Sequence, residues 1–187
     1  MKREKRGRSV EKKGLVIVHT GDGKGKTTAA LGLAMRAWGD GLRVLILQFI
    51  KGGWTYGELR TLDVLKRAEG RIEVRQCGLG FTRKGDKDQA EHEKAARDAL
   101  TLAKKEISSG GWDLIILDEI NYAVKFGLIT ESDLMEILQA RPTQLHLVFT
   151  GRDALPSLIE HADLVTEMHL VKHPFAQGIK AQKGIEF

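Results

Sequence analysis

At 187 residues the chain has the length of one domain, and 42% hydrophobic with 29% charged residues is the composition of a packed globular chain, neither disordered nor fibrous. A single cysteine, Cys77, excludes a disulfide framework and any multi-cysteine zinc site. The formal net charge of +5 is confined to residues 1–13, where seven bases face two acids, while the remaining residues carry 23 of each sign. A nucleic-acid-binding body would spread positive charge over its surface, so no nucleic-acid partner is expected. No apolar run approaches the ~20 residues of a membrane span, and no apolar stretch precedes Leu15. The expectation is a cytoplasmic protein without a membrane partner. Residues 1–13 read as a basic arm, solvated or folded over an anionic ligand or a partner subunit, and residues 14–187 as a single domain.

From Gly14 onward the pattern is strand, loop, helix, repeated. Leu15 to His19 is a short, β-branched apolar run suited to a strand buried on both faces. A glycine-rich turn leads into a helix from about Lys26 to Trp38, ended by Gly39-Asp40-Gly41. Arg43 to Phe49 reads as a second buried strand, Tyr56 to Lys66 as a helix, and Ile72 to Cys77 as a third, edge-like strand. Asp88 to Ser108 predicts a long amphipathic helix with Ala90, Ala95, Leu100 and Ala103 among its apolar positions. Leu114 to Asp118 is a fourth strand. Thr130 caps a helix through Ala140, with Asp133 as the capping-box acid, and Pro142 stops it. Leu145 to Thr150 and Leu164 to Leu170 supply two more strands around a short helix from Pro156 to His161. The pattern predicts an α/β fold, a mostly parallel sheet of about six strands with helices on both faces, and the glycine loop between the first strand and the first helix, read next, makes it P-loop NTPase-like. Ligands of such sheets sit at the carboxyl ends of the strands.

The loop after the first strand reads Thr20-Gly21-Asp22-Gly23-Lys24-Gly25-Lys26-Thr27-Thr28. Glycines let backbone N–H groups turn inward, and the following helix adds its positive N-terminal dipole, which together cradle phosphate. Lys26 is placed to reach phosphate oxygens and the Thr27 hydroxyl to ligate Mg²⁺. The usual G-x4-G-K-[ST] spacing is missed by one residue, because Gly21 falls one position late. The fourth strand ends in Asp118-Glu119, two carboxylates expected beside the phosphates, where a hard cation takes oxygen ligands. Thr150-Gly151-Arg152 ends the fifth strand and brings an arginine to the same rim, to stabilise polyphosphate charge or to serve as an ordinary surface residue. Lys51-Gly52-Gly53-Trp54 and Gly78-Leu79-Gly80-Phe81 place glycines beside an aromatic, either a flat wall for a large planar ligand or, taken singly, core packing. The six histidines lack H-E-x-x-H spacing, and Cys77 reads as buried and inert.

Taken in order, the glycine loop, Gln48-Phe49-Ile50-Lys51-Gly52, Gly80-Phe81-Thr82, Leu117-Asp118-Glu119, Thr150-Gly151-Arg152, Val171-Lys172-His173-Pro174-Phe175 and Gly178 to Ile185 resemble the bacterial ATP:cob(I)alamin adenosyltransferases of the CobA/CobO/BtuR type. The resemblance runs from about Gly14 to Phe187, and the shortened phosphate loop belongs to it. It implies that cobalt(I) of a reduced corrinoid attacks the 5′ carbon of ATP and expels triphosphate. Residues 21–28 would then bind the nucleotide, with Lys26 and Arg152 stabilising the leaving group. Thr27, Asp118 and Glu119 would hold Mg²⁺ or Mn²⁺. Phe81 matches the phenylalanine that helps displace the lower ligand of the corrinoid. Some members carry a tryptophan two residues later, where this chain has Arg83. An electron-donating flavoprotein and a homodimer, with the N-terminal arm covering a partner's site, are the partners implied.

Two rival functions share the loop. A small-molecule kinase calls for a base near an acceptor hydroxyl and an arginine-rich lid, and no such lid is visible. A ParA-like switch ATPase calls for a lysine five residues before Lys26, where Gly21 stands.

Overall fold

The computed structural model describes residues 13–53, 55–81 and 88–186; residues 1–12, Trp54 and Arg83 lie outside them. Among the described residues, six strands form one sheet in the order β3-β2-β4-β5-β1-β6, and every neighbouring pair is parallel. They are β1 (Val16–Thr20), β2 (Val44–Gln48), β3 (Ile72–Gln76), β4 (Leu114–Asp118), β5 (His146–Thr150) and β6 (Leu164–Glu167). All residues of β1, β2 and β4 are buried, as expected of parallel strands covered on both faces.

Alternation along the strands divides the core in two. Val18, Leu45, Leu47, Ile115, Leu117, Leu147 and Phe149 face one layer, which α3 (Gln89–Ser108), α4 (Ile120–Lys125), α5 (Glu131–Ala140) and α6 (Pro156–His161) cover. Ile17, Val44, Ile46, Ile116 and Val148 face the other, beneath α1 (Lys26–Gly39) and α2 (Gly57–Glu69). The expected α/β architecture is therefore present, with an all-parallel sheet.

Three expectations need correction. The buried face of α3 runs through His92, Ala96, Ala99, Leu100, Ala103 and Ile107, whereas Ala90 is exposed and Ala95 only half-buried. Both fall off the stripe once the 3.6-residue period is phased on Leu100 and Ala103. The sixth strand ends at Glu167, well short of Leu170, because Met168 turns out of the sheet. Its N–H still donates to Thr20 O (2.9 Å), but its carbonyl accepts from Gly23 N (2.7 Å). Helix α4 follows β4 almost without a loop, and six residues carry too little periodicity to announce it.

The Thr130 capping box is formed as expected: the Asp133 N–H donates to Thr130 Oγ1 (3.2 Å), and the Thr130 N–H donates to Asp133 Oδ2 (2.8 Å). Thr130→Ala is expected to cost about 1 kcal/mol and to lower the Tm by about 2–4 °C in a domain of this size, read by thermal unfolding followed by circular dichroism.

Candidate active site

Parallel register brings the carboxyl ends of the strands level. Gln48 of β2 pairs with Asp118 of β4, and Thr150 of β5 with His19 of β1. The chains leaving these ends carry most of the residues singled out in the sequence.

Asp118 lies at the centre and is fully buried. Its Oδ1 accepts from Thr27 Oγ1 and from Thr150 Oγ1, each at 2.8 Å. Its Oδ2 accepts from Gln48 Nε2 (3.0 Å) and from Lys51 Nζ (3.3 Å). Four donors use the four lone-pair sites of the carboxylate, which is how so buried a charge is tolerated. Lys51 is held over the Tyr56 ring (5.0 Å to its centroid). Burial alone would lower its pKa, but the charges of Asp118 and Glu119 outweigh it and raise the pKa.

The phosphate loop is built as the glycines require. Gly21 and Gly25 both have positive φ (92° and 112°), and α1 starts at Gly25 without a side-chain cap, so its first-turn amides are open to a ligand. Lys26 Nζ folds back onto the loop and donates to Gly21 O (2.7 Å) and Gly23 O (2.6 Å). Burial, with the nearby positive charge of Arg152, lowers the Lys26 pKa. Lys26 and Arg152 line one cavity of about 560 Å³ together with Thr27, Lys51, Glu119 and Phe81. Cations converging on one space favour an anion between them. Asp22, Gly23, Lys24, Gly25 and Thr28 border the same cavity.

Phe81 and Tyr122 give the cavity an aromatic part. Phe81 is 55% exposed, so it is not core packing. Its ring meets Tyr122 edge-on, with centroids 5.3 Å apart, and Tyr122 stacks on Phe126 at 4.1 Å. The loop bearing Phe81 crosses the loop after β2 backbone to backbone. A Cβ on Gly52 would lie 1.7 Å from Gly78 O, and one on Gly78 would lie 2.1 Å from Ile50 O.

Sequence reasoning left several site residues unassigned. Gln48 and Thr150 each end an apolar strand with a polar side chain, a signal that was available. Tyr122 sits on the unforeseen α4. The segment after β6 also reaches the loop: Leu170 N donates to Asp22 Oδ1 (3.1 Å), Lys24 is ion-paired with Glu186, and a Cβ on Gly21 would lie 2.3 Å from Met168 O. Cys77 is half-buried, and burial raises its thiol pKa, which disfavours the nucleophilic thiolate.

Residues 12–187 match the family described as ATP:corrinoid adenosyltransferase BtuR/CobO/CobP. The chain is 41% identical over 184 residues to a corrinoid adenosyltransferase of Pseudomonas aeruginosa, covering 98% of this chain and 89% of that one. It is 38% identical over 178 residues to one from Escherichia coli, covering 95% and 87%. Among solved structures, the flagellar accessory protein FlaH from Methanocaldococcus jannaschii superposes with a TM-score of 0.55 over 82% of this chain and 70% of its own, at 13% identity, a likeness of fold alone.

Glu119 is the strained member of the site. Its backbone is left-handed (φ 62°), a conformation that disfavours a side chain. Its N–H donates to Thr150 Oγ1 (2.9 Å), yet among the described residues its buried Oε2 has no hydrogen-bond partner. Burial, reinforced by the Asp118 charge, raises its pKa to about 7. A carboxyl whose pKa is higher folded than unfolded loses stability as pH rises from its unfolded value to its folded one. In ligand-free protein the loss between about pH 4.5 and 7 is on the order of 3 kcal/mol. Glu119→Gln is therefore expected to stabilise the ligand-free protein at pH 8, with the gain shrinking toward pH 5. Denaturant melts of both proteins across that range check it; a gain independent of pH would contradict the cause given.

Proposed function

The chain belongs to the ATP:corrinoid adenosyltransferase family, and from that premise we propose how its own residues carry out the reaction. The protein is an enzyme that transfers the 5′-deoxyadenosyl group of ATP to a corrinoid. The electron pair of cobalt(I) forms the Co–C bond to the 5′ carbon, the C5′–O bond breaks, and its electrons leave with triphosphate.

The reading rests on the convergence of Lys26 and Arg152 on one cavity whose lining also includes the aromatic pair Phe81 and Tyr122. The leaving group is a polyanion. In this assignment residues 21–28 bind it, Lys26 exchanges its loop carbonyls for phosphate oxygens, and Arg152 approaches from the β5 side. Charge stabilisation of this kind accelerates the step because negative charge develops on the departing oxygen. No proton has to be moved, so the chemistry requires no general base. The remaining task is to hold the ribose carbon in line with cobalt, which is a matter of positioning.

The donor set fits a divalent cation, Mg²⁺ or Mn²⁺. Among the described residues no cage of three or more His, Cys, Asp or Glu side chains exists, so substrate oxygens would complete the shell, as Mg²⁺ commonly prefers. The Thr27 hydroxyl and the unpartnered Glu119 oxygen are the direct ligands in this assignment. Asp118, with its lone pairs occupied, acts one step back by orienting Thr27. When bound, the cation neutralises triphosphate charge.

Phe81 is assigned to the corrinoid, where an apolar ring displaces the lower cobalt ligand and makes cobalt(II) easier to reduce. An electron-donating flavoprotein supplies that electron. The active unit is assigned as a cytoplasmic homodimer; of the basic arm read over residues 1–13, only Lys13 falls within the described residues.

ATP and chemically reduced cob(I)alamin are expected to yield adenosylcobalamin and triphosphate in equal amounts. ADP with a phosphorylated acceptor would establish a kinase instead. Lys26→Ala is expected to weaken ATP binding by about ten- to a hundredfold, the worth of a charge-assisted contact, by titration calorimetry. Phe81→Ala is expected to leave ATP binding within about twofold and to slow turnover mainly when the assay starts from cob(II)alamin and a reductase. Equal slowing from pre-formed cob(I)alamin would remove its redox role.

A further inference from the structure

Phe81 exposes more than half its surface although an aromatic platform lies beside it. Apolar surface left in water costs roughly 25 cal/mol per Å², so something must keep the ring from folding inward. The backbone is one restraint: Gly80 N donates to Ile50 O (2.8 Å), Gly78 N donates to Lys51 O (3.2 Å), and the Gly52–Gly78 crossing leaves the loop no slack. A second is the ring of Tyr122, set at 73° to the Phe81 ring and backed by Phe126 in a near-parallel stack. Phe126 is in turn covered by the Lys125 ammonium, 5.7 Å from its centroid.

Helix α4 carries this support and also begins at the strained Glu119, one turn before Tyr122. A Cβ on Gly151 would lie 2.8 Å from Asn121 Cβ, and Asn121 Nδ2 donates to Gly151 O (3.3 Å), so the helix is wedged against the loop that bears Arg152. The short helix therefore touches both the loop that bears Arg152 and the ring of Phe81.

We propose that Tyr122 is a positioning residue of the corrinoid half of the reaction: it holds the Phe81 ring out at the cavity rim, oriented toward the lower face of the corrinoid. The proposal rests on the role given to Phe81 above. The contact with Phe81 is ring to ring. Removing the ring opens a hollow beside Phe81, and the exposed phenyl then gains by falling into it.

The test follows the electronic absorption and paramagnetic resonance spectra of cob(II)alamin bound with ATP, which report the fraction of cobalt that has lost its lower ligand. Tyr122→Ala is expected to lower that fraction at least fivefold and to slow the reductase-coupled assay in step. ATP affinity is expected to stay within twofold, and turnover from pre-formed cob(I)alamin to fall several-fold less than the reductase-coupled rate. Tyr122→Phe keeps the ring and is expected to match the parent in every readout. Tyr122→Leu, which keeps bulk without an aromatic edge, serves if the alanine variant does not fold, and is expected to repeat its spectral loss. A parental spectrum in Tyr122→Ala or Tyr122→Leu, or a parallel loss of ATP affinity and cob(I)alamin turnover in Tyr122→Leu, overturns the positioning role. Phe81→Ala serves as the control. If its spectrum is also unchanged, the reading of Phe81 itself fails; if only Phe81→Ala alters the spectrum, that reading stands and the role of Tyr122 alone is lost.

Discussion

A single buried carboxylate organises the site. Asp118 is fully excluded from solvent, and an unpaired charge there would be prohibitively costly. Its donors come from α1, from β2 and the loop after it, and from β5. Satisfying one residue therefore aligns three carboxyl ends and the start of the first helix. The arrangement also explains its neighbour. Beside the inward-turned Asp118, Glu119 lines the cavity from a left-handed backbone, and among the described residues its buried Oε2 has no hydrogen-bond partner, where a cation could be held.

The cavity has two chemistries that share one scaffold. Its lining combines the phosphate loop and cations, suited to a polyanion, with aromatic rings suited to a broad apolar ring. A reaction that joins a triphosphate-bearing nucleotide to a corrinoid needs both within reach of one carbon. Helix α4 meets both the loop bearing Arg152 and the Phe81 ring, and the crossing of two glycine-bearing loops fixes the backbone beside Phe81. The glycines at that crossing are needed for close backbone approach, a different demand from the positive φ of the phosphate loop.

The glycines of the phosphate loop carry a second constraint. The backbone of Met168 and His169 runs against Gly21 and Gly23 so closely that any Cβ would collide with it. Beyond β6 the chain thus leaves the sheet to brace the loop from outside, through Gly23 N, Asp22 and the Lys24–Glu186 pair. The same contacts end the sixth strand at Glu167 and leave that strand an exposed edge.

Strand and helix alternation, the glycine loop with Lys26 and Thr27, and the paired acids after β4 were legible from the sequence, because each depends on short-range rules: period, capping and spacing. The Thr130 capping box is the clearest case, a contact across three residues readable from their order alone. Tertiary structure decided the rest. That Asp118 turns inward while Glu119 turns outward depends on Gln48, Lys51 and Thr150, which lie 70, 67 and 32 residues away. That Phe81 stands at a rim and not in the core depends on Tyr122, on a helix too short to show a period. Spacing along a chain encodes what neighbours do to one another, whereas which lone pair meets which donor is settled only when distant strand ends are brought level.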